Sequence, residues 1–194
     1  MINKKNITGI ILAGGRSSRM GSDKALMPFN NQTFLEHVIQ ALHPLVDDIL
    51  IVSNNPEHGK FNYERISDSI ADAGPMAGIH AGLTHSKTET NLVLSCDVPL
   101  IQTSVLEMII TNNEEDKDVI QLEDQGKSLP LVALYKKRTA AHFFSLLNQG
   151  ERRLRVAVNG LNIKTIAVTK TQQKAVRNIN TLSDLNSIED GIKH

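Results

Sequence analysis

Apolar runs of strand length recur along the chain, and polar loops and helical patterns separate them. Five such runs are rich in Val and Ile without strict alternation, and they cover residues 7–13, 48–53, 91–96, 129–135 and 163–168. Continuous apolar runs of this length are typical of strands that are buried on both faces. We therefore predict five strands in a sheet with a layer of helices on each side.

Helical patterns lie between these runs. Apolar residues from position 34 to position 42 follow helical spacing, and Thr33 with Glu36 forms the T-x-x-E pattern of a capping box. A second helix is predicted from Pro75 through Leu83, because proline suits the first turn of a helix. Three further helices are predicted, over residues 105–110, over 140–147, and after Thr181, with Asp184 three residues on.

Strands and helices that alternate in this way predict the α/β class, with a three-layer sandwich around a mainly parallel sheet. The 194 residues are expected to form a single domain, 1–194, because a chain of this length can bury about 70% of its unfolded surface in one core. In such sheets the chemistry sits at the carboxyl ends of the strands. The polar segments after Ala13, Val52 and Cys96 are therefore expected to face one crevice.

Composition excludes several classes of function. Hydrophobic residues make up 40% of the chain, and 21 basic residues balance 21 acidic ones, so no bulk field attracts nucleic acid or acidic membranes. The single cysteine, Cys96, excludes an internal disulfide and fits a reducing compartment. No apolar stretch approaches the ~20 residues that span a bilayer. We expect a soluble, cytoplasmic protein without nucleic-acid or membrane partners.

The loop after the first predicted strand carries the strongest chemical signal. Two adjacent glycines, Gly14 and Gly15, precede Arg16, Arg19 and Lys24. The segment is neither a G-x-G-x-x-G fingerprint nor a P-loop. Glycines nevertheless let backbone N–H groups approach an anion closely, and the basic side chains can neutralise a polyphosphate. Phosphate binding is favoured over the alternative, a turn with solvated basic residues.

Other candidates each have a structural alternative. Asp97, at the end of a buried strand, is favoured as a metal ligand over a simple turn cap. Cys96 is expected to be inert packing, since a thiol inside an apolar strand is rarely a nucleophile. The scattered histidines lack the spacing of a zinc site. Arg152 and Arg153 either bind an anion or form part of a solvated helical face.

An ordered set of motifs resembles the nucleotidyltransferases that act on the molybdenum cofactor, the guanylyltransferase branch in particular. Together the motifs span nearly the whole chain. They are Leu12-Ala13-Gly14-Gly15-Arg16-Ser17-Ser18-Arg19-Met20-Gly21 with Asp23-Lys24, Asp68-Ser69 leading to Gly74-Pro75-Met76-Ala77-Gly78, Cys96-Asp97-Val98-Pro99, Gly150-Glu151-Arg152-Arg153, and Asn178-Ile179-Asn180-Thr181.

The resemblance implies a role for each matching residue. Leu12, Ala13 and Gly14 would contact the guanine and ribose of GTP, and Gly15, Arg19 and Lys24 would lie along its triphosphate. Asp68 and Gly78 would complete the nucleotide pocket, and Asp97 would hold Mg²⁺. Arg19, Lys24 and Asp97 would be the catalytic residues. Asn178 and Asn180 would lie near the pterin substrate. The asparagine that the family places after its second strand has three competing positions here, Ser53, Asn54 and Asn55.

The implied fold is a Rossmann-like sheet of the nucleotide-diphospho-sugar transferase type, and the implied reaction is transfer of GMP from GTP to molybdopterin. Transient contacts with cofactor-biosynthesis proteins and molybdoenzymes would accompany it. One alternative is a related enzyme that uses CTP or a sugar-1-phosphate. Another is a nucleotide-binding protein that delivers the cofactor without catalysis. Gly14 argues against the cytidylyl enzyme, which typically has Ala there, and Lys24 with Asp97 argues against a carrier.

Overall fold

The computed structural model describes residues 6–14, 23–68, 70, 73–181 and 183–184. The strands of the described residues are β1 (Ile7–Leu12), β2 (Pro28–Phe29), β3 (Gln32–Thr33), β4 (Asp48–Val52), β5 (Glu64–Ile66), β6 (Thr90–Ser95), β7 (Val119–Asp124), β8 (Lys127–Lys136) and β9 (Ile163–Ala167). The α-helices are α1 (Phe34–Leu42), α2 (Gly74–His85), α3 (Thr103–Thr111), α4 (Ala140–Asn148) and α5 (Leu154–Asn159). All five predicted strands and the first four predicted helices are confirmed.

Seven strands form one sheet in the order β5-β4-β1-β6-β8-β7-β9, and β2 pairs with β3 in a separate hairpin. Only β8 runs antiparallel to its neighbours in the large sheet, and the other pairs are parallel. The prediction of an α/β fold with a mainly parallel sheet is confirmed. Because β1, β4 and β6 lie side by side and parallel, their carboxyl ends meet at one edge.

Two apolar layers cover the sheet. Side chains of α1 and α3 pack on one face. Side chains of α2, α4 and α5 pack on the other face. Small residues let the layers approach closely: a Cβ built on Gly9 would lie 2.4 Å from Leu42 Cδ2, and one on Gly82 would lie 2.5 Å from Ile10 Cγ2. The three-layer prediction is confirmed, and the organisation of all 194 residues as one domain stays a prediction.

The apolar pattern did not predict four strands and α5. Strands β2, β3 and β5 have only two or three residues, which is too few to form an apolar run. Strand β7 is buried but carries the polar Gln121 in its middle. A turn joins β7 to β8, with positive φ angles at Gln125 and Gly126.

Two further outcomes concern single segments. The helix predicted after Thr181 lies largely outside the described residues, although Thr181 and Asp184 exchange the hydrogen bonds expected at a helix start. Among the described helices, none is both long and apolar enough to cross a membrane.

Candidate functional site

A hollow of about 720 Å³ lies where β1, β4 and β6 end and α2 begins. The lining residues come from all of these elements and from the turn after the first loop. They are Leu12, Ala13, Gly14, Asp23, Lys24, Val52, Asn54, Asp68, Ala73, Gly74, Pro75, Gly78, Ser95, Cys96, Asp97 and Leu131. The structure thus brings the three predicted polar segments to one crevice.

Most of the predicted site residues meet at this hollow. Seven of them line it: Leu12, Ala13, Gly14, Lys24, Asp68, Gly78 and Asp97. Asn178 and Asn180 are exposed, and neither belongs to the lining among the described residues. Gly15 and Arg19, like Arg16, lie outside the described residues.

Lys24 is joined to the far end of the chain. Its Nζ donates a hydrogen bond to Asn180 Oδ1 at 2.7 Å, across a separation of 156 residues. The neighbouring Ile179 is fully buried, and its backbone N–H donates to the carbonyl of Asp97 at 2.8 Å. The segment predicted to lie near the second substrate is therefore held against both Lys24 and Asp97.

Asp97 presents a buried carboxyl oxygen to this region. Its Oδ1 has no hydrogen-bond partner among the described residues. Burial raises the pKa of Asp97, and a hydrogen bond with Ser95 and the charge of Lys24 act in the opposite direction. A carboxylate oxygen of this kind is a ligand that Mg²⁺ prefers. Within the described part of the chain, no cluster of three or more His, Cys, Asp or Glu side chains forms a larger metal site.

Ser53, Asn54 and Asn55, the three candidates for the family's asparagine after β4, have different contacts. Asn54 lines the hollow, and its Nδ2 donates to Asp68 Oδ1 at 2.8 Å. Asn55 Nδ2 instead donates to Asp23 Oδ2 at 2.7 Å, and Ser53 Oγ contacts the His58 ring. Geometry therefore favours Asn54 as the asparagine beside the predicted nucleotide pocket.

Two glycines meet different constraints at the hollow. A Cβ built on Gly78 would lie 3.1 Å from Leu12 Cδ2, so this glycine lets α2 pack closely against β1. Among the described residues, a Cβ on Gly14 would have only Val52 O within 4 Å, at 3.8 Å, so no described atom blocks a side chain there. Gly74 begins α2 with a φ of +65°, which favours glycine, and the first turn of α2 borders the hollow.

Two of the weaker candidates are also placed. Cys96 packs in the apolar core as predicted, and burial raises the pKa of its thiol to about 12, so its lack of reactivity stays a prediction. Arg153 pairs with Glu151 at 2.7 Å, and Arg152 Nη1 donates to the carbonyl of Leu147. Neither arginine lines the hollow among the described residues.

The sequence did not predict the polar contacts that hold the turn beginning at Lys24. Asp23, Asn55 and His58 contact one another there. The position of Asp23 directly before Lys24 did indicate that Asp23 lies near the site. The sequence did not distinguish Asn55 and His58 from other polar loop residues, because their contacts with Asp23 join residues more than thirty positions apart.

A crevice at the carboxyl ends of parallel strands, lined by a lysine, aspartates and glycines, is typical of a nucleotide-binding enzyme that transfers a phosphoryl-type group. Residues 9–162 match the family described as the MobA-like NTP transferase domain. The chain belongs to this family.

Its relatives include proteins of the predicted branch, which confirms the resemblance. A probable molybdenum cofactor guanylyltransferase from Flavobacterium johnsoniae is 33% identical over 184 residues, which cover 95% of this chain and 97% of that protein. A molybdenum cofactor guanylyltransferase from Vibrio parahaemolyticus is 34% identical over 189 residues, with coverages of 95% and 96%.

Solved structures confirm the fold type. Molybdopterin-guanine dinucleotide biosynthesis protein A from Archaeoglobus fulgidus superposes with a TM-score of 0.81 at 24% identity, covering 96% of this chain and 98% of that one. The 4-diphosphocytidyl-2C-methyl-D-erythritol synthase of Anaerococcus prevotii has a TM-score of 0.77 at 13% identity, with coverages of 100% and 98%. The fold is that of the nucleotide-diphospho-sugar transferases.

Proposed function

We propose that this chain transfers GMP from GTP to the phosphate of molybdopterin, giving the guanine dinucleotide form of the cofactor and pyrophosphate. The observation that carries the proposal is the meeting of Lys24 and Asp97 at one hollow, with the Asn180 segment held between them. Relatives named molybdenum cofactor guanylyltransferase support it over nearly the whole chain.

The reaction is an in-line displacement at the α-phosphorus of GTP. An oxygen of the molybdopterin phosphate forms the new bond to the α-phosphorus, and the bond from the α-phosphorus to the oxygen bridging to the β-phosphorus breaks. Pyrophosphate leaves with that bonding pair. The attacking phosphate is already ionised at neutral pH, so the protein must supply positioning and charge neutralisation more than a strong base.

Lys24 is proposed to neutralise the triphosphate and the leaving pyrophosphate, with Arg19 as its predicted companion. Lys24 Nζ donates a hydrogen bond to the amide oxygen of Asn180. Hydrogen bonds from a lysine to phosphate oxygens would be charge-assisted, and so stronger than a bond to a neutral acceptor. The same contact supports the proposed place of Asn180, and of the neighbouring Asn178, beside the pterin phosphate.

The residues present fit a single divalent cation. Asp97 Oδ1 is buried and has no hydrogen-bond partner among the described residues, and it lies at the hollow as an oxygen donor. Mg²⁺ commonly uses one or two protein carboxylates together with substrate phosphates. When bound, the ion would supply positive charge to the phosphate oxygens. We propose Asp97 as its protein ligand.

The nucleotide pocket is proposed to lie between β1, β4 and α2. Leu12, Ala13 and Gly14 would contact the base and ribose, with Asp68 and Gly78 opposite them and Asn54 holding Asp68 in place. Gly15, which follows Gly14, is predicted to lie along the triphosphate. A cytoplasmic location and transient contacts with molybdoenzymes are part of the same proposal.

Pyrophosphate release with molybdopterin tests this function when GTP, CTP and ATP are supplied in turn, with and without Mg²⁺. We expect release with GTP alone, and only in the presence of the divalent cation. Release with CTP in preference to GTP would assign the cytidylyl reaction instead. Tight GTP binding without any release would support the delivery protein.

A further inference from the structure

A fully buried histidine lies behind the wall of the hollow. His58 belongs to the 3-10 turn Pro56–Phe61 and is 0% exposed. Its Nδ1 lies 2.7 Å from Ser53 Oγ, and its Nε2 lies 3.1 Å from Asp23 Oδ2. His58 does not line the hollow, whereas Asp23 does. Among the described residues, Asp23 is the lining residue that the ring contacts.

The contacts of His58 define its tautomer. A carboxylate can only accept, so Nε2 must carry the ring proton to face Asp23 favourably. Nδ1 then accepts from the Ser53 hydroxyl, and Ser53 Oγ in turn accepts the backbone N–H of Asn55 at 3.0 Å. Burial lowers the pKa of His58, with Lys60 and Arg65 acting in the same direction and Asp23 in the opposite one. With a neutral ring, Nδ1 accepts from Ser53, and the protonated Nε2 faces Asp23 Oδ2 at 3.1 Å as an electrostatic contact without hydrogen-bond geometry.

Asp23 links this buried group to the backbone at Lys24. Its Oδ2 accepts from Asn55 Nδ2 at 2.7 Å as well as facing His58, and its Oδ1 accepts the N–H of Ala25 at 2.9 Å. Asp23 thereby caps the 3-10 turn Lys24–Leu26. Two groups from the loop after β4 hold the carboxylate, and the carboxylate holds the turn from which the Lys24 side chain extends.

We propose that His58 is a positioning residue for GMP transfer, which acts through Asp23 to hold Lys24 at the hollow. The proposal rests on the proposed function for its activity readout. His58 does not act as an acid or base on the substrate, because it is fully buried. The competing interpretation is a core histidine that contributes only to stability, and the two interpretations differ in whether His58 matters once Lys24 is gone.

A double-mutant cycle separates them. The variants are His58→Phe, Lys24→Ala and the combination, and the measurements are kcat and KM for GTP in GMP transfer, GTP affinity by calorimetry, and thermal unfolding. We expect His58→Phe to lower kcat/KM about three- to tenfold when Lys24 is present. In the Lys24→Ala background we expect less than about a twofold effect, because contacting residues that act as one unit are not additive.

Conservative variants refine the cycle. His58→Gln retains a donor that reaches towards Asp23, and we expect it to recover most of the lost turnover. His58→Asn retains a polar group that can contact Ser53, but its side chain is too short to reach Asp23. We therefore expect it to lower kcat/KM as much as His58→Phe does. If His58→Phe does not fold, His58→Asn takes its place in the cycle. His142→Phe is the matched control, because the His142 ring contacts the Ala157 carbonyl at 2.8 Å and does not line the hollow.

The outcomes are distinct. An equal loss of kcat/KM with and without Lys24 would overturn the proposal, as would full activity of a folded His58→Asn protein. A similar loss in His142→Phe would assign the effect to general destabilisation. If wild-type protein transferred no GMP, the proposed function would fail, and the cycle in GTP affinity would still decide the role of His58.

Discussion

Asp97 combines a buried carboxyl group with an oxygen that lacks a hydrogen-bond partner among the described residues. Burial raises its pKa, so the ionised form is disfavoured in the folded protein. Below about pH 4 the carboxyl is protonated in both the folded and unfolded states. As the pH rises through the raised pKa, the folded protein loses stability relative to a variant that cannot ionise.

We therefore expect Asp97→Asn to abolish cation-dependent transfer while raising the free energy of unfolding at pH 7 by on the order of 1 kcal/mol. Urea unfolding at pH 4 and pH 7 without divalent cation measures the effect, and the gain should shrink at the lower pH. Mg²⁺ should raise the melting temperature of the wild type but not of the variant.

Asp124→Asn is the matched control, since Asp124 also has a buried Oδ1 without a hydrogen-bond partner among the described residues and lies outside the lining of the hollow. It should leave the cation dependence unchanged. Turnover of Asp97→Asn at the wild-type rate would remove Asp97 from the metal site.

Gly14 offers a second test at the level of one residue. Its backbone does not require positive φ, and among the described residues a Cβ would meet only Val52 O within 4 Å, at 3.8 Å. Gly14→Ala should therefore change the free energy of unfolding by less than about 0.5 kcal/mol. We expect it to lower kcat/KM for GTP relative to CTP in the pyrophosphate assay, since Gly14 lines the hollow.

Gly82→Ala provides the contrast, because its Cβ would lie 2.5 Å from Ile10 Cγ2 in the core. It should cost about 1–3 kcal/mol of stability without changing nucleotide preference. An unchanged GTP to CTP ratio in Gly14→Ala would show that Gly14 does not influence nucleotide choice.

The sequence pattern predicted that polar segments meet at the strand ends, and the family resemblance named most of the residues that line the hollow. Neither predicted the orientation of polar side chains in the loops. Asn54 and Asn55 are adjacent and chemically identical, yet one contacts Asp68 and the other contacts Asp23. Which aspartate each asparagine contacts depends on which one the fold brings close to it. The residues around each asparagine do not indicate this partner.

At the level of elements, the start of α1 is defined by a capping box. The backbone N–H of Glu36 donates to Thr33 Oγ1 at 3.3 Å, and the N–H of Thr33 donates to Glu36 Oε2 at 2.6 Å. The hydrogen bonds from Thr33 lower the pKa of Glu36. A carboxyl with a lowered folded pKa contributes stability above its unfolded pKa, and this contribution is lost as the pH falls through the folded value.

Thr33→Ala should cost about 1 kcal/mol of unfolding free energy at pH 7. The cost should be smaller at acidic pH, below the lowered pKa of Glu36, and urea unfolding at neutral and acidic pH measures the difference. Thr84→Ala, which removes a hydroxyl that bonds only the His80 carbonyl within α2, should show no such pH dependence. GMP transfer should be unaffected in Thr33→Ala, because Thr33 does not line the hollow.

Element type was predictable where burial imposed a pattern. The continuous runs of β1, β4 and β6 are buried along most of their length, and the capping box located the start of α1. The short edge strand β5 left no such pattern, because Glu64 is exposed and Arg65 is half-buried. The reversed direction of β8 was not predictable either, since a buried run has the same composition in both orientations.

At the scale of the whole molecule, the site depends on a segment that returns from the far end of the chain. The matched family region ends at residue 162, yet β9 adds a strand beside β7, and residues 178–180 then reach Lys24 and Asp97. Sequence resemblance suggested this proximity, whereas local periodicity could not. Contacts over such separations are set by packing, and here the packing residue is Ile179.

Ile179 is fully buried with Met27, Phe29 and Phe34, and it lies between the two asparagines of the segment. We expect Ile179→Ala to cost about 2–5 kcal/mol of unfolding free energy. Because the Ile179 N–H bonds the Asp97 carbonyl and Asn180 bonds Lys24, we also expect a raised KM for GTP in the folded fraction.

Ile109→Ala is the control with the same change in volume, since Ile109 is fully buried in α3 and does not line the hollow. It should lose comparable stability while KM stays at the wild-type value, with both quantities measured well below the melting temperature. An equal rise in KM for both variants would mean that the site responds to loss of stability anywhere in the core. A rise in KM confined to Ile179→Ala would mean that residues 178–180 keep Lys24 and Asp97 in position. The two variants lose the same side-chain atoms and differ only in the contacts that those atoms made.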